Sequence, residues 1–415
     1  MPSSHPRHAP LVRTLLDWTD SNDFPWTFPL PPWAPARSRR LRRLRILARR
    51  RVTAQRVAWA GWPRTWVQSL VWPVLALAKA TRSFSQYPAP PGTGPLGHAG
   101  LVVRRWWLQV AHNFTIADMA YHFFHLPAHR SRPRSFITDR EHISLMMLSD
   151  EIHRGVPDID LKTVFARFCA QHDLPTVNAF MTGRGASVEL SLPLPRTNLF
   201  LKPANSKQGR GAEILPLAPD GDAWLGADNV RLAATDLAAY AARRLGDNPW
   251  IIQERLQNAS SWADFTPGAL ATVRIITGYI HPSGAPECIA AYLRCPRTGS
   301  MVDNMCAGGF GASLDLATGE LGPGRDWINV HAVYDRHPDT GMPIKGRILP
   351  GWDQIQQLAL RAHACAGGWL TLGWDIPLTT RGPIIVEANV GWALMPFGPA
   401  EDTRYLEIFE SRLLR

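Results

Sequence analysis

Two apolar runs near the carboxyl end constrain this chain more than any other stretch: Leu372-Gly373-Trp374-Asp375-Ile376 and Pro383-Ile384-Ile385-Val386-Glu387-Ala388-Asn389. Both are too short for helices and read as buried strands. Thr379-Thr380-Arg381-Gly382 between them supplies a turn, so the pair forms a hairpin. Asp375 at the end of one strand then lies beside Glu387 and Asn389 at the end of the other. Such oxygens are the hard donors Mg²⁺ accepts when it keeps waters and takes its remaining ligands from nucleotide phosphates. An ordinary hairpin with polar ends accounts for the same residues, and this segment alone does not choose between the two.

Upstream segments bear on that choice. Leu199-Phe200-Leu201-Lys202-Pro203 is an apolar strand ending in a lysine. It leads into Ala204-Asn205-Ser206-Lys207-Gln208-Gly209-Arg210-Gly211, a polar loop with two glycines and two further cations. Glycines let backbone N–H groups approach phosphate oxygens, and a strand-end lysine adds a point charge. No Walker A string occurs in the chain. Trp250-Ile251-Ile252-Gln253-Glu254 is a further strand, offering an adenosine backbone edges and a carboxylate, and Thr272-Val273-Arg274-Ile275-Ile276 follows.

The order strand-Lys-Pro, Gly loop, strand-Gln-Glu, strand-Arg, then Asp and Glu-x-Asn resembles the ATP-grasp superfamily. Within it, the stretch from Val302 to Asn389 is similar to the sugar-transfer-associated group, related to the alpha-L-glutamate ligase-like proteins. Val302-Asp303-Asn304 with Gly308-Gly309, His337-Pro338-Asp339-Thr340-Gly341, Leu349-Pro350-Gly351-Trp352 and Gly373-Trp374-Asp375 carry that finer likeness. The resemblance spans residues 160–395 and implies an α+β fold whose two lobes hold ATP between them.

It also implies roles. Lys202 neutralises the α/β phosphates, Lys162 reaches the nucleotide, Ser206, Gly209 and Gly211 close over the phosphate tail, and Gln253 and Glu254 receive the adenosine, Glu254 at the ribose hydroxyls. Asp375, Glu387 and Asn389 hold Mg²⁺. Arg274 meets the γ-phosphate or an acyl phosphate and shares the catalytic role with Lys202, and Asp303 and Asn304 hold the acceptor. Each has a plainer alternative: a snorkelling Lys202, a helix start at Lys162 capped by Asp160, a Glu254–Arg255 surface pair, a structural Arg274 salt bridge, a simple turn at Asp303.

The implied reaction is ligation of a small carboxylate to an amine through an acyl phosphate, on a cell-surface glycan or amino-acid precursor. Two alternatives stand beside it: a kinase acting on a sugar hydroxyl, and a basic adaptor for membrane or nucleic acid with an inactive ATP site.

With 415 residues the chain is long enough for several structural units. Residues 1–90 read as a basic Trp- and Pro-rich region, 100–160 as a helical region and 160–400 as the catalytic region. No secretory signal opens the chain, and five scattered cysteines form no C-x-x-C pair, so a cytoplasmic protein with reduced thiols is expected. His122, His125 and His129 form a cluster that reads as structural before metal-binding.

Arg37 to Arg51 holds nine arginines in fifteen residues and accounts for most of the net charge of +11. A basic helix over Ser38–Val57, an apolar segment Trp62–Ala80, a linker over 86–99 and an aromatic-faced helix Leu101–Leu126 are expected. Pro73 and a short apolar run exclude a transmembrane span in Trp62–Ala80. Cations beside indoles favour peripheral contact with an anionic membrane over nucleic acid, and solvated faces with ion pairs to the catalytic lobe are the alternative.

Overall fold

The computed structural model describes residues 36–85, 87–122, 124, 132–152, 156–185, 187–204, 211–263, 266, 269–281, 284–300, 303, 305, 308–326, 329, 332–392 and 403–414. The chain divides into two compact units, residues 1–149 with 393–415, and residues 150–392.

In the first unit, α1 (Arg39–Ala60) is followed by α2 (Trp62–Arg82), α3 (Pro95–His112), α4 (Ile116–Tyr121) and α5 (Asp139–Ile152), and Thr403–Leu413 is helical as well. Ser38 caps α1 by accepting from Leu41 N–H at 3.1 Å. The arginines of α1 are not a uniform solvated stripe. Arg45 and Arg49 are buried against Glu141 at 3.2 and 3.1 Å, and Arg40 pairs with Glu407 and Glu410. Their partners lie within this unit and not in the catalytic lobe.

The expected helix Leu101–Leu126 is two helices. It starts earlier, at Pro95, so the expected linker is shorter, and it stops at His112 because Asn113 takes a left-handed conformation. Thr115 and Asp118 then form a capping box that starts α4. Phe114 and Phe124 leave the aromatic face and enter the core, where the His122 ring stacks on Phe124 and leans on Phe136. Burial pushes the His122 imidazole down to about 4 and makes it a packing residue; His125 and His129 lie outside the described residues. No described helix is long and apolar enough to cross a membrane.

The second unit begins with α6 (Lys162–Gln171). Leu161, not Asp160, is its N-cap, and no side chain bonds there. A five-stranded antiparallel sheet follows, in the order β2 (Ser187–Leu190), β1 (Ala179–Arg184), β7 (Trp250–Glu254), β3 (Leu199–Pro203), β4 (Glu213–Leu215). Arg231–Leu232 (β6) pairs with Trp224–Leu225 (β5), and α7 (Leu237–Leu245) follows. Leu199, Leu201, Ile252 and Trp250 fill one face of the sheet under Leu237, Tyr240 and Ala241 of α7. Alternation then sends Phe200, Lys202, Ile251 and Gln253 to the other face.

After the short α8 (Ser260–Ala263), a seven-stranded antiparallel sheet runs β12 (Val333–Tyr334), β11 (Leu321–Asp326), β10 (Phe310–Leu314), β9 (Glu287–Cys295), β8 (Thr272–Gly278), β13 (Thr371–Ile376), β16 (Glu387–Asn389). The two-residue strands β14 (Leu378–Thr379) and β15 (Gly382–Pro383) form the expected turn. Helix α9 (Trp352–Ala366) presents Ile355, Leu358, Ala359 and Ala362 to the core shared with Val273, Ile275, Leu372 and Trp374. With one face buried there, the period of two commits Thr272, Arg274, Asp375, Glu387 and Asn389 to the other.

Candidate active site

Strand register assembles the site. Asp375 pairs with Glu387 on β16 and with Arg274 on β8, Arg274 pairs in turn with Tyr292 on β9, and Thr272 pairs with Arg294. Antiparallel partners share a face, so one row of the sheet reads Glu387, Asp375, Arg274, Tyr292. Asn389, two residues from Glu387, lies on the same face beside Gly373. A Cβ at Gly373 would stand 3.2 Å from Trp392 Cβ and 3.3 Å from Ile276 Cδ1, so the glycine admits a close approach of those side chains.

Charge is concentrated on that row. Arg274 Nη2 donates to Asp375 Oδ2 at 2.8 Å, and its Nε donates to Oδ1. Arg294 donates through Nη1 to Asp375 at 2.9 Å and through Nη2 to Asp303 at 2.9 Å. Asp303 also accepts from the Thr272 hydroxyl. Burial would push the Asp375 carboxyl up, but the two guanidiniums outweigh it and hold the group well below the usual carboxylate range. At Asp303 burial wins, and the carboxyl rises against the pull of Arg294.

Glu387 behaves differently. Its nearest arginine contact is 3.8 Å, to Arg274 Nη2, and 39 % of its side chain stays exposed. Partial desolvation and then the Asp375 carboxylate push its carboxyl above the usual range. Asn389 Nδ2 donates weakly to Glu387 Oε1 at 3.4 Å. Among the described residues no group of three or more His, Cys, Asp or Glu gathers. Asp375, Glu387 and Asn389 offer two carboxylates and an amide on one face, hard oxygen donors of the kind a cation accepts when water and phosphate complete its shell. Asp375 has three of its roughly four lone-pair positions taken by guanidinium N–H groups, which leaves Glu387 and Asn389 as the more open donors.

The nucleotide-side expectations fall on the other sheet and its surroundings. Lys202 is partly buried, and desolvation together with the nearby Lys162 cation pushes its ammonium down to about 8 against the pull of Glu387. Lys162, at the start of α6, donates to the Ala204 carbonyl at 2.9 Å, just past the end of β3. Gly211 has a φ of +74°, and a Cβ there would meet Pro203 Cγ at 3.1 Å. Gln253 is buried on the same sheet face as Lys202. Ser206, Gly209 and Asn304 lie outside the described residues. Glu254 pairs with Arg381 of the hairpin turn, not with Arg255, and accepts from Asn178 N–H at 2.9 Å.

Arg294, Tyr292, Thr272 and Arg381 were not singled out from sequence. Arg294 carried a signal: it is a lone cation inside the apolar run Cys288–Cys295, and such a residue needs an acid partner.

The profile of the sugar-transfer associated ATP-grasp family matches residues 152–405. The chain belongs to that family. No curated protein matches it. Among solved structures, similarity to D-alanine–D-alanine ligase from Bacillus anthracis complexed with ATP covers 62 % of this chain and 65 % of that one, at 7 % identity and a TM-score of 0.34. Carboxyaminoimidazole ribonucleotide synthase from Aspergillus clavatus, complexed with ATP, gives 12 % identity and a TM-score of 0.28 over 56 % of this chain. The ATP-grasp ligase PsnB, solved with minimal precursor, Mg and ADP, gives 12 % identity and 0.32 over 66 % of this chain and 69 % of its own. This ATP-grasp chain spans 44 % of the synthase chain and 65 % of the D-alanine ligase chain, less than two thirds of each.

Proposed function

We propose that this chain is an ATP- and Mg²⁺-dependent ligase that joins a small carboxylate to an amine, on a precursor of a cell-surface glycan or on an amino acid. One observation carries the reading. A register-locked row sets Glu387, Asn389 and Asp375 beside Arg274, with Lys202 close enough to feel the Glu387 charge. That row combines cation donors with two fixed positive groups, which suits phosphoryl transfer, where negative charge spreads over the oxygens as the bond breaks.

When bound, Mg²⁺ would offset phosphate charge between the nucleotide and the acceptor. Glu387 and Asn389 would hold it from β16, with Asp375 behind them. Lys202 would meet the phosphates from β3, and Lys162 would support the same charge. Arg274, held in place by Asp375, would face the oxygens of the activated carboxylate. The carboxylate takes the γ-phosphoryl group and releases ADP; the amine then attacks the carbonyl carbon and displaces phosphate, giving an amide. The family description, sugar-transfer associated, supports a glycan precursor as the carrier of one reacting group.

Incubating the protein with Mg-ATP and pools of amino acids, amino sugars and acidic sugars tests this. ADP release that needs both an acid and an amine, with a new amide mass, is expected. A phosphorylated hydroxyl product without an amine requirement would replace the ligase by a kinase.

A further inference from the structure

Helix α2 has an outer face that the nucleotide site does not use. Trp62, Trp66, Leu70, Val74 and Leu77 recur at steps of three and four, which places them on one side of the helix, with Val67 at its edge. Trp62 is 57 % exposed, Leu70 71 % and Val74 72 %. This is not the stripe that holds α2 in the fold. Trp72, Leu75 and Ala76 do that from the opposite side, against Trp106 and Val110 of α3. Trp106 Nε1 also donates to Pro73 O at 2.9 Å and Gln109 Nε2 to Ala76 O at 3.0 Å, which joins the two helices without help from the outer face. A surface helix in water keeps polar residues outside, so an apolar outer face marks an interaction surface.

Charge selects the occupant. Residues 24–117 contain fourteen arginines and Lys79, and no aspartate or glutamate. The buried Arg45 and Arg49 and the paired Arg40 are engaged inside the fold, but Arg39, Arg42, Arg50 and Arg82 are exposed. A second copy of the chain would bring one acid-free cationic region against another and be repelled. An anionic lipid surface matches both properties, since headgroup charge attracts the arginines and the acyl boundary takes up the apolar face. The indoles of Trp62 and Trp66 suit that boundary, with an apolar ring body and a polar N–H.

We propose that the outer face of α2, from Trp62 to Leu77, seats this protein on an anionic lipid bilayer, lying on the surface and not crossing it. The contact surface thus moves from the arginine run itself to the helix that follows, with the exposed arginines as its electrostatic support.

Flotation of the full chain with vesicles tests the proposal. Vesicles of phosphatidylcholine with phosphatidylglycerol should carry the protein upward at low salt, pure phosphatidylcholine should not, and added salt should weaken the attachment. Leu70→Glu and Val74→Glu each remove apolar burial and add repulsion, so each should lower partitioning by roughly tenfold or more. Ile348→Glu, at an exposed apolar position in the other unit, should leave it unchanged. Circular dichroism and urea midpoints check that the variants fold, and Leu70→Ser serves where a glutamate does not. Failure of the parent to float with phosphatidylglycerol, equal binding to neutral vesicles, or variants that float like the parent overturns the proposal. So does a parent dimer in sedimentation that Leu70→Glu dissolves, which would assign the face to a second copy.

Discussion

Asp375 and Glu387 occupy paired positions on adjacent antiparallel strands, yet guanidinium groups bond closely to Asp375 alone. The two acids are thereby pushed apart in their tendency to hold a proton, Asp375 downward and Glu387 upward. Asp375 is fixed as an anion and anchors Arg274 and Arg294. Glu387, at the open side of the row, is the group whose charge an incoming cation would stabilise.

Glu387→Gln keeps size and removes one charge from that open position. Mg-ATP turnover is expected to fall by about a thousandfold or more, because a neutral amide holds a divalent cation poorly against phosphate. The urea midpoint should stay near that of the parent, since Glu387 makes no close ion pair. Near-normal ADP release would remove Glu387 from the cation site.

Arg294→Met separates architecture from chemistry. It leaves the buried Asp303 carboxylate with no guanidinium partner and Asp375 with Arg274 alone. Breaking a buried pair in this way costs about 3 kcal/mol or more. The sign with pH follows from Asp375: its lowered folded value contributes stability that is present above the unfolded value and lost as pH falls. Without Arg294 that contribution shrinks, and the Asp303 carboxyl, which burial already raises, loses the guanidinium that pulls it down and becomes costlier as an anion near neutrality, so the stability gap between variant and parent should be larger at pH 7 than at pH 4. Urea titrations at the two pH values measure it, and an equal gap would mean Arg294 acts through packing alone.

The row was legible in sequence where chemistry and period coincide. Asp375, Glu387 and Asn389 lie in apolar runs, and a period of two turns that spacing into one face. Lys202 at the end of β3 was legible for the same reason. Arg294 and Arg381 were not, because their partners, Asp303 and Glu254, are 9 and 127 residues away and become neighbours only through folding. The break between α3 and α4 was signalled by Asn113, a residue that tolerates the left-handed turn, and by the Thr115-x-x-Asp118 capping box, and was missed because the aromatic spacing runs on through it. The basic helix α1 was visible, but burial of Arg45 and Arg49 required knowing where Glu141 falls.

Lys202 should make nucleotide binding depend on pH in the alkaline range. Its folded value of about 8 means the free protein loses this charge as pH rises past it, while bound phosphates favour the protonated form. Affinity for a non-hydrolysable ATP analogue should therefore be flat up to about pH 7.5. It should then weaken, approaching about tenfold per pH unit, until the bound form titrates too. Lys202→Arg keeps its charge throughout and should flatten the curve, as calorimetric titration from pH 7 to pH 9.5 would show. A parent curve as flat as that of the variant would place Lys202 away from the phosphates.

In the first unit one buried acid, Glu141, holds two buried arginines. Glu141 accepts from Arg45 Nε at 3.2 Å and Arg49 Nε at 3.1 Å and caps the start of its own helix through Thr138 N–H at 3.0 Å. Burial lowers the Arg49 guanidinium to about 10 even with Glu141 beside it, so Arg49 still carries its charge near pH 7. Glu141→Gln therefore leaves two buried positive charges facing an uncharged amide, at a cost of about 3–5 kcal/mol. Because the chain divides into two units, the loss should appear as an early transition in thermal unfolding, with nucleotide-induced stabilisation of the later one preserved. A single transition shifted as a whole would show instead that the two units unfold together.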